Sequence, residues 1–334
     1  MNGIRSWMRK NADVVGIILV MAALLLLFSL LSDSFFTSSN LMRIMLNVSA
    51  IGVMALGECL VIVIGGIDLG VSSVFALSGV TAGMLISRAG VGVPEAVLAA
   101  LAAGGLVGAV NGFLVLKTGL TPFIATFGML SMIRGLAYAL SGGYTISVYK
   151  RSFTAIGMYN VGDAVPVPVI IFVALAMVFQ ITMKKTSYGV RLYATGGNPA
   201  AAAYSGIRTG WIKFSAYVVC GVLAGLAGIM SAAKLGMAAS TAGMGYEMDV
   251  ITAVILGGVS FNGGVGSALG VAVGAVVMGI IRNGLLIMNV SAYYQTLIIG
   301  LVILLVVSLD AMKEKGLAKL LLTLRRRRRR EGSA

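Results

Sequence analysis

The chain has 334 residues, of which 59% are apolar and only 11% charged, and its mean hydropathy is +1.00. A soluble domain carries about 25% charged residues on its surface, so a soluble enzyme is excluded first. The 25 Lys and Arg outnumber the 11 Asp and Glu for a net charge of +14, and the absence of His removes His-based acid–base, nucleophile-activation and metal chemistry.

A helix crossing the hydrocarbon core takes roughly 20 mostly apolar residues. The first such segment is 14–31, VVGIILVMAALLLLFSLL. A secretory signal is the alternative there, but the run is long, no A-x-A site follows, and further apolar segments come after it. Those further segments are 42–64, 69–87, 94–116, 121–140, 166–183, 212–232, 248–260, 265–281 and 292–309. The pattern predicts an all-α integral membrane protein of about ten transmembrane helices, since lipid offers no partner to a free backbone amide. Segment 248–260 is short for a straight span. Cys59 and Cys220 lie inside apolar segments and read as small buried hydrophobes rather than a disulfide or metal pair.

The basic residues set an orientation. With the N-terminus in the cytoplasm, most of them fall on inside segments: Arg5, Arg9, Lys10, Lys117, Lys184, Lys185, Arg191, Arg208, Lys213, Lys313, Lys315, Lys319 and the arginine run 325–330. Arg43, Arg88, Lys150, Arg151 and Lys234 fall outside, with Arg134 and Arg282 in or near helices. This bias is the positive-inside pattern, so both termini are expected in the cytoplasm. One permease domain is expected over 1–312, followed by a basic cytoplasmic tail at 313–334 that attracts anionic membrane lipid. Nucleic acid is not an expected partner, because no folded or aromatic reader accompanies the tail.

Two connections are long. Residues 141–165 are expected outside and carry three tyrosines. Residues 184–213 are expected inside, polar and basic, with Asn198 placed to cap a helix that has Pro199 at its first position. That stretch reads either as a solvated connection or as a short cytoplasmic helix that docks on a partner. No Lys follows a Gly anywhere, so a Gly-Lys phosphate loop cannot occur and the chain holds no nucleotide site of that type. The glycine clusters at 104–112 and 257–270 read as helix packing or helix breaks.

Intramembrane charges are costly and are usually paired or functional. Glu58 and Arg134 lie within expected spans, Asp68 follows two glycines, and Glu247 and Asp249 open the eighth segment. Glu58 and Arg134 either pair across helices or line a polar path. Asn111, Asn262 and Asn283 are candidates for interhelical hydrogen bonds or for contact with a hydroxylated solute.

Four blocks of residues carry a resemblance. Gly65-Gly66-Ile67-Asp68-Leu69 with Val71-Ser72-Ser73 resembles the GGIDLSVGS signature of the sugar permeases of bacterial ABC importers. Thr121 to Leu130, TPFIATFGML, followed by Arg134-Gly135, is similar to that family's PFI-x-T-x-G and RG stretch. Gly196-Gly197-Asn198-Pro199, Ala201-Ala202 and Ser205-Gly206-Ile207 resemble its GGN-x-x-A-A-x-x-SGI loop. Asp249 to Gly258 and Gly263-Gly264-x-Gly266-Ser267 resemble its late glycine-rich block. The resemblance runs over about residues 30–310 and points to the ribose- and xylose-type permeases. Gly70 stands where Ser is usual and Glu58 where an uncharged residue is common, which sets a Glu58–Arg134 pair outside the family pattern.

The resemblance implies a permease of the vitamin-B12-importer type in the bacterial inner membrane, working as a homodimer and breaking no covalent bond. Its implied partners are a periplasmic sugar-binding protein and a separate ABC ATPase subunit, which carries the ATP and Mg; the chain itself would bind no cofactor. Thr195, Gly196, Gly197, Asn198, Pro199, Ala201, Ala202, Ser205 and Gly206 are the implied coupling segment. The solute would be a monosaccharide such as ribose. The competing reading is an ion-coupled secondary transporter of a small polar solute, which needs ion-coordinating carboxylates at the midplane.

Overall fold

The structure is a computed structural model that describes residues 12–308 apart from 163, 292 and 306. The basic tail at 313–334, with its arginine run, lies outside the described residues, as do Arg5, Arg9 and Lys10. The described chain falls into two compact units divided between Asn289 and Val290.

The first unit is a helical bundle. Its long helices are α1 (Ala12–Leu31), α2 (Ser38–Val63), α3 (Val71–Ser87), α4 (Val93–Lys117) and α5 (Pro122–Ser141). A connection follows that holds β1 (Ile146–Ser147), α6 (Arg151–Met158), β2 (Asn160–Val161) and β3 (Val165–Pro166). Then come α7 (Val167–Lys185), α8 (Ser187–Gly197), α9 (Pro199–Tyr204), α10 (Thr209–Leu235), β4 (Met237–Ala238), α11 (Tyr246–Leu256) and α12 (Ala268–Ile287). Among the described residues the second unit carries one apolar helix, α13 (Tyr293–Leu305), in whose first turn Gln295 Nε2 donates to the Val290 carbonyl at 2.8 Å.

Among the described residues, α2, α4, α5, α7, α10 and α12 are long and apolar enough to cross a membrane, and shorter apolar stretches lie in α1, α3 and α13. The chain is an all-α integral membrane protein. Its segment at 248–260 departs from the expected span. Helix α11 has 11 residues and stops at Gly257, a length of about 16 Å at the α-helical rise, roughly half the hydrocarbon core. Gly258 then turns with φ +82°, a conformation that glycine adopts without steric cost.

All five prolines stand at helix starts: Pro94 in α4, Pro122 in α5, Pro166 and Pro168 at α7, and Pro199 in α9. There the missing N–H removes no helical hydrogen bond. Helices α2 and α10 are buried over most of their length, and α10 packs against α2, α3 and α4. Small residues make this possible. A Cβ at Gly108 would run into the Tyr217 carbonyl, one at Gly221 into Gly104, and one at Gly228 into Phe75. The 104–112 cluster is thus a helix-packing surface, and the 257–270 cluster is the break between α11 and α12.

The two long connections sit at opposite ends of α10. At its C-terminal end β4 pairs antiparallel with β1, Ile146 opposite Ala238. At its N-terminal end lie α8 and α9, so residues 184–213 are almost wholly helical.

Candidate functional site

The segment 64–70 joins α2 to α3 and is held by four helices, α2, α4, α5 and α10. Gly65 has φ +76°, and its N–H and that of Gly66 close the end of α2 on the carbonyls of Ile62 and Val61. Asp68 then opens α3: its Oδ1 accepts from the Gly70 N–H at 2.8 Å, a local carboxylate turn. From α4, Asn111 Nδ2 donates to both Asp68 oxygens at 3.0 Å. From α2, Glu58 Oε1 accepts the Asp68 N–H at 2.9 Å. From α5, Thr126 Oγ1 accepts the Leu69 N–H at 3.2 Å; its own hydroxyl has the Pro122 carbonyl at 2.9 Å and the Ile67 carbonyl at 3.3 Å as acceptors. From α10, Tyr217 Oη reaches the Ile67 carbonyl at 3.4 Å, and Cys220 Sγ lies 3.6 Å from Glu58 Oε2.

Glu58, Asp68, Asn111 and Thr126 are all buried. Among the described residues, both carboxyls are satisfied by N–H and thiol donors and neither is in an ion pair; the ion pair found there joins Arg282 to Asp249 at 2.5 Å. Of the two readings open for Glu58 and Arg134, the direct pair is not formed. Arg134 donates instead to the carbonyls of Ser240, Ala242 and Ser72 at 2.7–3.0 Å, tying the segment before α11 to the start of α3. The reason is position: Glu58 is near the end of α2 that meets segment 64–70, and Arg134 has five donors suited to a cluster of free carbonyls.

The other candidate residues separate. Asn283 exchanges two hydrogen bonds with Asn40 at 2.9 and 3.0 Å, joining α12 to the start of α2. Asn262 is exposed in the turn after α11, where its N–H meets Ser260 Oγ, and it does not join the buried polar group.

The implied coupling segment forms the end of α8 and all of α9. Asn198 Oδ1 accepts the Ala201 N–H at 2.9 Å with Pro199 next to it, the expected cap. Thr195, Gly196 and Ala202 are buried; Gly197, Asn198, Pro199, Ala201, Ser205 and Gly206 are exposed, beside Tyr204 at 94% exposure. The underside of α8 rests on backbone. A Cβ on Gly196 would strike the Val63 carbonyl and the Gly264 N–H, which are themselves hydrogen-bonded at 2.7 Å. Tyr193 Oη donates to the Gly266 carbonyl at 2.8 Å. Burial, and then the neighbouring Cys59, push this phenol up to about 12, so it keeps the proton it donates. Val63 ends α2 immediately before segment 64–70, so the implied coupling segment and the Asp68 cluster meet the same short stretch of chain.

A family model described as "Branched-chain amino acid transport system / permease component" matches residues 40–307. The ribose import permease of Escherichia coli (strain K12) is 38% identical over 93% of this chain and 96% of its own length. The chain belongs to this permease family, within its ribose-type ABC sugar-permease group. The D-allose transport system permease of the same organism is 36% identical over 91% of this chain and 93% of its own length. The L-arabinose ABC transporter permease of Azospirillum brasilense is 35% identical over 88% and 86%. No solved structure matches the chain. As a member of the family the chain is a multi-pass inner-membrane transport subunit and not an enzyme.

Four residues that make buried or part-buried polar contacts have no role assigned from sequence. Thr126 lay in a quoted motif without a role, Tyr217 and Cys220 looked like ordinary span residues, and Gln180 of α7 accepts from Ser267 Oγ and the Leu269 N–H at the start of α12. A polar residue inside an apolar span was the available signal for Gln180.

Proposed function

We propose that the chain is the membrane-spanning subunit of an ATP-driven importer that translocates a monosaccharide, ribose or a similar pentose or hexose. It has ten spans with α11 a partial one, both termini in the cytoplasm, and the arrangement of the vitamin-B12 importer. It works as a homodimer. A periplasmic binding protein delivers the sugar, and a separate ABC ATPase, carrying ATP and Mg, drives alternating access. The sugar class is supported by relatives whose names specify ribose, D-allose and L-arabinose.

The observation that carries the ATPase coupling is the α8–α9 pair. It presents a capped, exposed rim of Gly197, Asn198, Pro199 and Ala201 at one end of the bundle, while its underside lies against the backbone of Val63 and Gly264. Such an element can seat in a partner's groove and pass displacement into the bundle.

The test is to purify the chain with proteins encoded beside it and ask whether a phosphate-loop ATPase co-elutes, then to measure sugar uptake in vesicles. ATP-dependent uptake through the complex is expected. Uptake that persists with no ATPase present would reject this function in favour of an ion-coupled transporter.

A further inference from the structure

We propose that Asp68 and Asn111, with Glu58 behind them, are positioning residues of a joint that transmits movement of the α8–α9 pair into α4 and α5. This rests on the reading above that the pair receives the ATPase. Three observations carry it.

The first is the seat. Gly196 meets Val63 and Gly264 backbone to backbone, with no side chain between them to absorb a displacement. Close-packed contacts of this kind transmit strain instead of damping it. The second is connectivity. From Val63 the chain runs directly into 64–70, whose far side is hydrogen-bonded to α4 through Asn111, to α5 through Thr126 and to α2 through Glu58. Bonds to carboxylate in a low-dielectric interior are among the stronger and more directional contacts available. A Cβ at Gly70 would come within 2.9 Å of Asp68 Oδ1 and 3.2 Å of Asn111 Nδ2, so nothing stands between the two groups.

The third observation concerns unsatisfied groups. Asn111 Oδ1 and Thr195 Oγ1, at opposite ends of this route, are buried with no hydrogen-bond partner among the described residues. A buried polar atom without a partner is costly and needs an explanation. A second arrangement of the joint, in which 64–70 and α8 shift against the bundle, would give these atoms partners. That is the bistable element an alternating-access subunit requires.

The test uses the complete complex in proteoliposomes, reading sugar uptake and ATP hydrolysis together. Wild-type uptake that does not depend on ATP overturns the function itself; with the wild type coupled, any failure belongs to the joint. Asn111→Asp sets a second carboxylate against Asp68. It should lower uptake per ATP hydrolysed by about tenfold while hydrolysis stays within about twofold. The exchange Asp68→Asn with Asn111→Asp keeps the contact with donor and acceptor reversed. The new amide oxygen still accepts from Gly70, and its nitrogen donates to the new carboxylate. This double variant should return most of the lost coupling. If Asn111→Asp or the exchange does not assemble, Asp68→Asn alone, which retains one Asn111 bond, should show the same separation of uptake from hydrolysis at smaller size. An unchanged ratio in the folded variants overturns the joint. So does a folded exchange variant that recovers nothing, because polar glue alone has no reason to separate uptake from hydrolysis.

Discussion

Gly196 lies so close to the carbonyl of Val63 that no Cβ fits between them, whereas the next residue, Gly197, has open space where its Cβ would be. Adjacent glycines thus answer to different demands, one inside the protein and one on its surface. Gly196→Ala must push backbone and should destabilise the purified protein by about 3 kcal/mol or more, at the upper end for overpacking. Gly197→Trp should leave the melting temperature within a few degrees of wild type and weaken association with the ATPase. Thermal unfolding in detergent and co-purification give the two readouts. Equal destabilisation by both would show that Gly197 is also packed.

Asn198 caps the α9 helix from an exposed position. Asn198→Ala removes that bond at a cost of about 1 kcal/mol to the local helix. The bundle should melt as before, since α9 buries only Ala202. Complex formation and uptake should fall, and Asn198→Asp, which keeps an acceptor, should restore them.

Asn40 and Asn283 form a closed amide pair between α2 and α12. Truncating either to Leu leaves the other amide buried and partly unpaired, an expected loss of about 1–2 kcal/mol. Asn40 keeps its bond to the Phe35 carbonyl at 2.9 Å, so Asn283→Leu should be the milder change. A double-mutant cycle on unfolding should give a favourable coupling energy; strict additivity would deny the pair.

Arg282 neutralises the buried carboxylate of Asp249, and the two side chains are 38% and 2% exposed. Arg282→Ala strands a buried charge and should cost about 2 kcal/mol, moderated by the exposure of the arginine. Arg282→Ala with Asp249→Asn should recover much of that loss in the same melting assay. If the single variant melts as the wild type does, the pair contributes nothing.

What could be read along the chain was local. The helical segments follow from apolar runs of membrane length, the helix starts from Pro122 and Pro199, and the α9 cap from Asn198 beside Pro199. The short eighth segment was visible from its length, because glycines close it at 257. The Asp68 cluster was only half legible. Asp68, Glu58 and Asn111 stood out as polar residues in apolar surroundings, but nothing in periodicity says which of them meet. Asp68 and Asn111 are 43 positions apart, and Glu58 and Cys220 are 162 apart. Charge alone leaves open whether Glu58 and Arg134 pair or line a path, because it does not report which groups lie within reach once the helices are packed.

The amino-acid sequence by itself determined that this protein lives in a membrane, roughly where its long apolar helices run, and which family it resembles. Hydrophobicity, proline placement and short motifs act over a few residues or turns, so they are written in neighbouring positions. Only the tertiary structure decided that Gly196 seats on Val63, that segment 64–70 around Asp68 is gripped by four helices, and that Arg134 serves backbone carbonyls instead of a carboxylate. Those facts depend on close approach of distant backbones. In a bilayer that approach is set by where small residues let helices meet, and the chain expresses it only once α10 has packed against α2, α3 and α4.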